Sequence, residues 1–200
     1  MAIDFRPVFD GEQQLIDYAA QFTVADLRQA SEDSVAWLSG IVTGLEDAEI
    51  SFAPQDPEAD DPFAVEGERD IGWGIGHLVA HVTASSEEWA AYSSLLARSV
   101  PYPAEPRLRF EPPWREIDTR ARALQRLQES LRQRLGYLDA WPDEPDLELK
   151  RDLSPRFVAR FGEFNATTCF LFGLQHEVGH YGQFENVRVQ IEAARAGAGD

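Results

Sequence analysis

Gln175-His176-Glu177-Val178-Gly179-His180-Tyr181-Gly182-Gln183 carries the second of two histidine pairs in a chain that holds four histidines. An α-helix turns about 100° per residue, so His176 and His180 point the same way, about 6 Å apart along the axis. That geometry suits one metal ion. The other pair, His77 and His81, repeats the i, i+4 spacing within Trp73-Gly74-Ile75-Gly76-His77-Leu78-Val79-Ala80-His81-Val82, so every histidine belongs to such a pair.

Around these two stretches the apolar residues recur at helical intervals. Thr23 and Asp26 form a capping signal ahead of Val24, Leu27, Val35, Leu38, Val42 and Leu45, which predicts a first long helix over 23–46. A second helix is expected over 71–97 and a third over 114–138, where Ile117, Leu124, Leu127, Leu131 and Leu135 keep the period. Asn165 caps a fourth, which runs on through Phe170, Leu174, His176, His180, Phe184 and Ile191. Between them lie segments that proline keeps out of helix: an acidic loop over 47–70, a stretch with five prolines over 99–113, and 141–163, where Leu147 and Leu149 alternate as a small hairpin would. Residues 1–22 read as a docked N-terminal arm, and 197–200 as a frayed tail. The pattern predicts an all-α four-helix bundle with long loops, one domain over 1–200.

Composition narrows the function. A core of ordinary size is available from 44% hydrophobic residues, while 35 acidic against 18 basic residues give a net charge of -17. That charge repels phosphate backbones and anionic headgroups, so no nucleic acid and no membrane partner is expected, and a small-molecule substrate is. A single cysteine, Cys169, allows no internal disulfide. With no cationic and apolar leader at the start and no apolar run of spanning length, a cytoplasmic location is expected.

Imidazoles suit Zn, Ni, Cu or Fe(II), and three protein ligands with an open position is the arrangement of catalytic sites. One i, i+4 pair plus a histidine from a facing helix would build it. The spacing alone does not say which of His77 and His81 joins. The stretch His176-Glu177-Val178-Gly179-His180 also matches H-E-x-x-H, in which the glutamate is a base toward metal-bound water. No third histidine follows to complete a peptidase site, yet Glu177 stays a candidate catalytic base. Trp73 and Trp89 are candidates for a cavity wall, and Cys169 for a small core residue.

The stretch from Trp73 to Val82 resembles the tryptophan-to-histidine helix of the DinB-like (DinB/YfiT-like) metalloenzyme superfamily, and His176-x-x-x-His180-x-Gly182-Gln183 resembles its second motif. The resemblance implies an up-down-down-up bundle and a divalent ion (Zn, Ni or Fe) held by His81, His176 and His180. His77 is left to packing or to orienting a ligand from behind, with a fourth ligand as the alternative. It further implies an enzyme that activates a low-molecular-weight thiol cosubstrate for S-transfer to a small electrophile, working as a homodimer. The alternatives are a hydrolase that uses a metal-bound hydroxide, and a non-catalytic bundle in which the metal only ties helices together.

Overall fold

In the computed structural model the protein is described over residues 3–61, 66–102 and 105–197. Pro62, Pro103 and residues 198–200 of the expected tail lie outside these. Among the described residues there are helices and no strands.

The N-terminal arm forms two short helices, α1 (Arg6–Phe9) and α2 (Leu15–Ala19). The first long helix, α3 (Val24–Thr43), opens on the expected capping box: the Thr23 hydroxyl accepts from the Asp26 backbone, and the Asp26 carboxylate accepts from the Thr23 backbone. It ends before Gly44, and a further turn of helix, α4 (Asp47–Ile50), stands inside the acidic loop. The second long helix, α5, covers Ile75–Ala97 rather than starting at Ile71, because Gly74 is still extended there at φ -74° and ψ 176°. The third, α6, covers Arg120–Asp139; Trp114–Glu116 is a separate 3-10 turn, and Thr119 supplies the cap of α6.

The hairpin expected in 141–163 is replaced by α7 (Pro155–Phe161), capped by Ser154. Leu147 and Leu149 are exposed, so their alternation marks no buried strand face. The fourth predicted helix is two: α8 (Ala166–Gly179), capped by Asn165 as expected, and α9 (Tyr181–Gly197). They meet at His180, whose N–H bonds back to Glu177 only three residues away. Gly179 and Gly182 flank that break, and glycine is the residue whose helical backbone is least favoured after proline.

The core lies in two clusters. One gathers Leu27 and Ala30 of α3, Trp89 to Ala97 of α5, Leu138 of α6 and Ala166 to Leu174 of α8. The other gathers Val35 to Val42 of α3, Ile75 to Val82 of α5, Ala123 and Leu127 of α6, and Phe184 to Ile191 of α9. The residues between these sets along the same helices are buried and polar: Ser31 and Ser34, Ser85 and Ser86, Ser130 and Arg134, Gln175 and Glu177. Thus a polar layer crosses the bundle at mid-height. Two close approaches set the packing around it. A Cβ at Gly173 would sit 3.2 Å from Ser86 Cα, where α5 and α8 cross, and one at Gly76 would sit 2.3 Å from Ile117 O, where the chain entering α6 crosses α5. No described helix is long and apolar enough to cross a membrane.

Candidate metal centre

His81 comes from the second turn of α5, His176 from the last turns of α8, and His180 from the break between α8 and α9. The α5–α8 packing brings the three rings together. His176 Nε2 lies 3.3 Å from His81 Nε2 and 3.4 Å from His180 Nε2. Two nitrogens each about 2.1 Å from one ion in a tetrahedral array would stand about 3.4 Å apart. The three residues together could hold a metal ion, with ligand atoms all within 4.8 Å of one another.

Proton placement agrees with that fit. Gln183 Oε1 sits at hydrogen-bond distance from His180 Nδ1. An amide oxygen only accepts, so the ring proton is on Nδ1 and the Nε2 lone pair is left facing the cluster. Burial, followed by repulsion from His180 and His81, pushes the His176 imidazole down to about 3, and burial also lowers His180. Neutral rings are what a cation requires of its ligands. His176 Nδ1 is buried without a hydrogen-bond partner.

A loop that carries no histidine lines the same site. Glu111 Oε1 is 3.6 Å from His81 Nδ1, and Arg109 Nη2 is 3.3 Å from that nitrogen and 2.5 Å from Glu111 Oε2. Burial opposes ionisation of Glu111, but the neighbouring His81 ring and Arg109 guanidinium outweigh it and hold the carboxyl at about 2. Arg107 reaches Glu88, whose carboxylate is fully buried, at 2.5 Å. Arg107, Arg109 and Glu111 border a cavity of about 610 Å³, with His77, His81 and Trp114 on its wall. Asp61 and Glu68 from the acidic loop also line it. Arg107, Arg109 and Glu111 were not legible in the sequence as site residues, because the segment carries neither helical period nor metal-ligand spacing. Its only signal is alternation: charge at 107, 109 and 111, apolar groups at 108 and 110.

His77 is not among the residues whose ligand atoms converge. Its ring is sandwiched between Trp73 at 4.5 Å and Trp114 at 4.9 Å, and its Nδ1 is buried without a partner. Desolvation lowers it to about 4. Trp73 also meets His81 at 4.6 Å, so it does wall the site. Trp89 does not: it packs with Phe157, Phe164 and Phe172 in the first core cluster. Cys169 is fully buried there too, and desolvation pushes its thiol up to about 12.

Glu177 faces the polar layer. Its side chain is fully buried; one oxygen takes Ser34 Oγ and Arg134 Nη1, the latter at 3.2 Å, and the other takes Ser86 Oγ at 3.1 Å. Tyr181 OH, stacked on Trp37, extends the chain to Ser34 at 2.6 Å. Neighbours on a helix lie about 100° apart, which turns Glu177 away from the face that His176 and His180 share. With both oxygens engaged behind the site, Glu177 has no position from which to act as a base on a substrate.

Comparison with known proteins bears on the same residues. No curated protein and no solved structure matches the chain. A family model described as the DinB superfamily matches residues 28–184, a span that includes α3, α5, α6 and α8 almost entirely and all three converging histidines. With an all-helical bundle and a histidine cluster fit for a metal behind that match, the chain belongs to the DinB superfamily.

Proposed function

We propose that the protein is a divalent-metal-dependent enzyme that activates a low-molecular-weight thiol for transfer to a small electrophile. The observation that carries this reading is the meeting of three Nε2 atoms, with one of the three rings, His81, on the wall of a cavity of about 610 Å³. His81, His176 and His180 would hold the ion. When bound, it would supply Lewis acidity that favours thiolate over thiol near neutral pH.

The remaining work falls to the chain. Gln183 orients His180, and Trp73 packs against the rings of His81 and His180. Arg107 and Arg115, each more than half exposed and each paired to a carboxylate, present charged and hydrogen-bonding groups to a polar cosubstrate. In an addition across a double bond of the electrophile, the S–H bond and the electrophile's π bond break while an S–C bond and a bond from the electrophile to the proton form, so no oxidant is needed. Hydrolysis of the H-E-x-x-H kind is disfavoured by the engagement of Glu177 with Arg134.

The up-down-down-up order belongs to the same proposal. It is supported by the way the start of α3 shares a cluster with the ends of α5 and α6 and the start of α8.

Metal analysis of the purified protein, followed by conjugation assays with a panel of low-molecular-weight thiols, tests the reading. One equivalent of metal is expected in the wild type, with little in His81→Ala or His176→Ala and conjugation lost in parallel. Conjugation at the wild-type rate after complete removal of metal would overturn it.

A further inference from the structure

His81 has two ring nitrogens, and the one turned away from the cluster meets neighbours with opposite demands. Arg109 Nη2 stands 3.3 Å from Nδ1 and Glu111 Oε1 stands 3.6 Å from it. A guanidinium only donates: a bond from Arg109 would leave Nδ1 bare and put the ring proton on Nε2, in the middle of the cluster. A carboxylate only accepts: a bond to Glu111 would put the proton on Nδ1 and free Nε2. Arg109 has other acceptors, the His81 carbonyl at 3.3 Å and Glu111 Oε2 at 2.5 Å. At 3.6 Å the Glu111 contact is an ion-pair distance that must close to about 2.8 Å to become a charge-assisted hydrogen bond.

We propose that Glu111 is the positioning residue of the metal centre: its carboxylate accepts from His81 Nδ1–H and sets the tautomer that presents Nε2 to the ion. This rests on the metal reading above. Gln183 performs the equivalent task for His180, but it does so from a helix, whereas Glu111 sits on a strap. Along that strap Arg107, Arg109 and Glu111 border the cavity, while Leu108 and Phe110 are exposed at 40% and 73% and border a separate cleft with Tyr137. Arg107 ties it to the buried Glu88 of α5. The strap therefore both walls the cavity and carries the carboxylate that faces His81.

The test is a zinc titration against a chromophoric chelator for wild type, Glu111→Gln and Glu111→Ala. Long-range proton–nitrogen spectra of the zinc-loaded histidines accompany it, and far-UV circular dichroism checks folding. Zinc-loaded wild type should show His81 protonated at Nδ1 and coordinated through Nε2. Glu111→Ala should bind zinc about 10–100-fold more weakly, the usual cost of losing an outer-shell partner. Glu111→Gln, whose amide oxygen still accepts, should recover most of that loss. Unchanged affinity in Glu111→Ala, no recovery in Glu111→Gln, or coordination through Nδ1 would each overturn the proposal while leaving the metal reading standing. A wild type that takes up no zinc would overturn both.

Discussion

Glu177 and Arg134 show how much a single buried charge can decide. Both are essentially without solvent contact, at 0% and 1% exposure, and Arg134 keeps Nε and Nη2 unpartnered in addition to the bond it gives Glu177. Removing the carboxylate leaves a buried guanidinium uncompensated, so Glu177→Ala should lower stability by about 3–5 kcal/mol, read by urea denaturation. A loss below about 1 kcal/mol, the range of surface pairs, would show that the layer is not the dry ion pair described here. His77 makes a second residue-level prediction. Folded His77 is held down to about 4 by desolvation, with the charge of His81 adding to that and Glu111, Asp61 and Glu68 opposing it, whereas an unfolded histidine titrates near 6.5. The unfolded chain therefore takes a proton that the folded one refuses. Stability is fully present above pH 6.5 and is lost as pH falls toward 4, by about 2 kcal/mol at pH 5. Metal-free His77→Phe, which keeps the stack, should lose about 2 kcal/mol less than wild type between pH 7 and pH 5; equal losses would place the imidazole in water.

Among the elements, α5 is the one the others are built on. It is buried along nearly its whole length, supplies His81, and packs on α6, on α8 and on the 3-10 turn that brings Trp114 over His77. That turn fits only because Gly76 has no side chain: a Cβ there would stand 2.3 Å from a backbone oxygen that has no free torsion to swing away on. Gly76→Ala should therefore destabilise by about 2 kcal/mol or more, as overpacked sites do. Gly136, inside α6 and open to solvent, would meet nothing. Gly136→Ala should instead stabilise by about 1 kcal/mol, the difference in helix propensity. Thermal melts of the two variants check both signs, and a shared sign would contradict the crossing described at Gly76.

At the scale of the whole molecule, both apolar clusters draw on the same long helices, and the polar layer between them is bonded across those helices. We propose that the chain unfolds as one unit: calorimetry should show one transition, and two resolved transitions would divide the single domain. A ligand that binds only the folded state stabilises it by about 2.7 kcal/mol at a hundredfold excess over Kd. For a chain of this size that is a rise of about 5–10 °C in the melting temperature. Zinc should produce such a rise, and excess chelator should reverse it. A melting temperature indifferent to both would argue against a site that ties α5 to α8 and α9.

How much of this could be read without coordinates follows from the range of the forces involved. Caps and periodicity act over three or four residues, so Thr23 with Asp26, Asn165, and the apolar faces of the long helices were visible in the chain. The i, i+4 pairing made the histidines visible for the same reason. The break at His180 and the late start of α5 were not visible, since helical period continues through both stretches and only backbone geometry marks the boundary. What only tertiary structure decided is which groups meet. Glu177, next to His176, is turned toward Arg134, 43 residues back in the chain, and Glu111, from a segment with no motif, is turned toward His81. The sequence by itself determined the long helical stretches and the histidines able to bind a metal. Packing across distant segments decided which carboxylate stands at the site, because side-chain direction is set by the neighbours a helix or strap is pressed against and not by its own spacing.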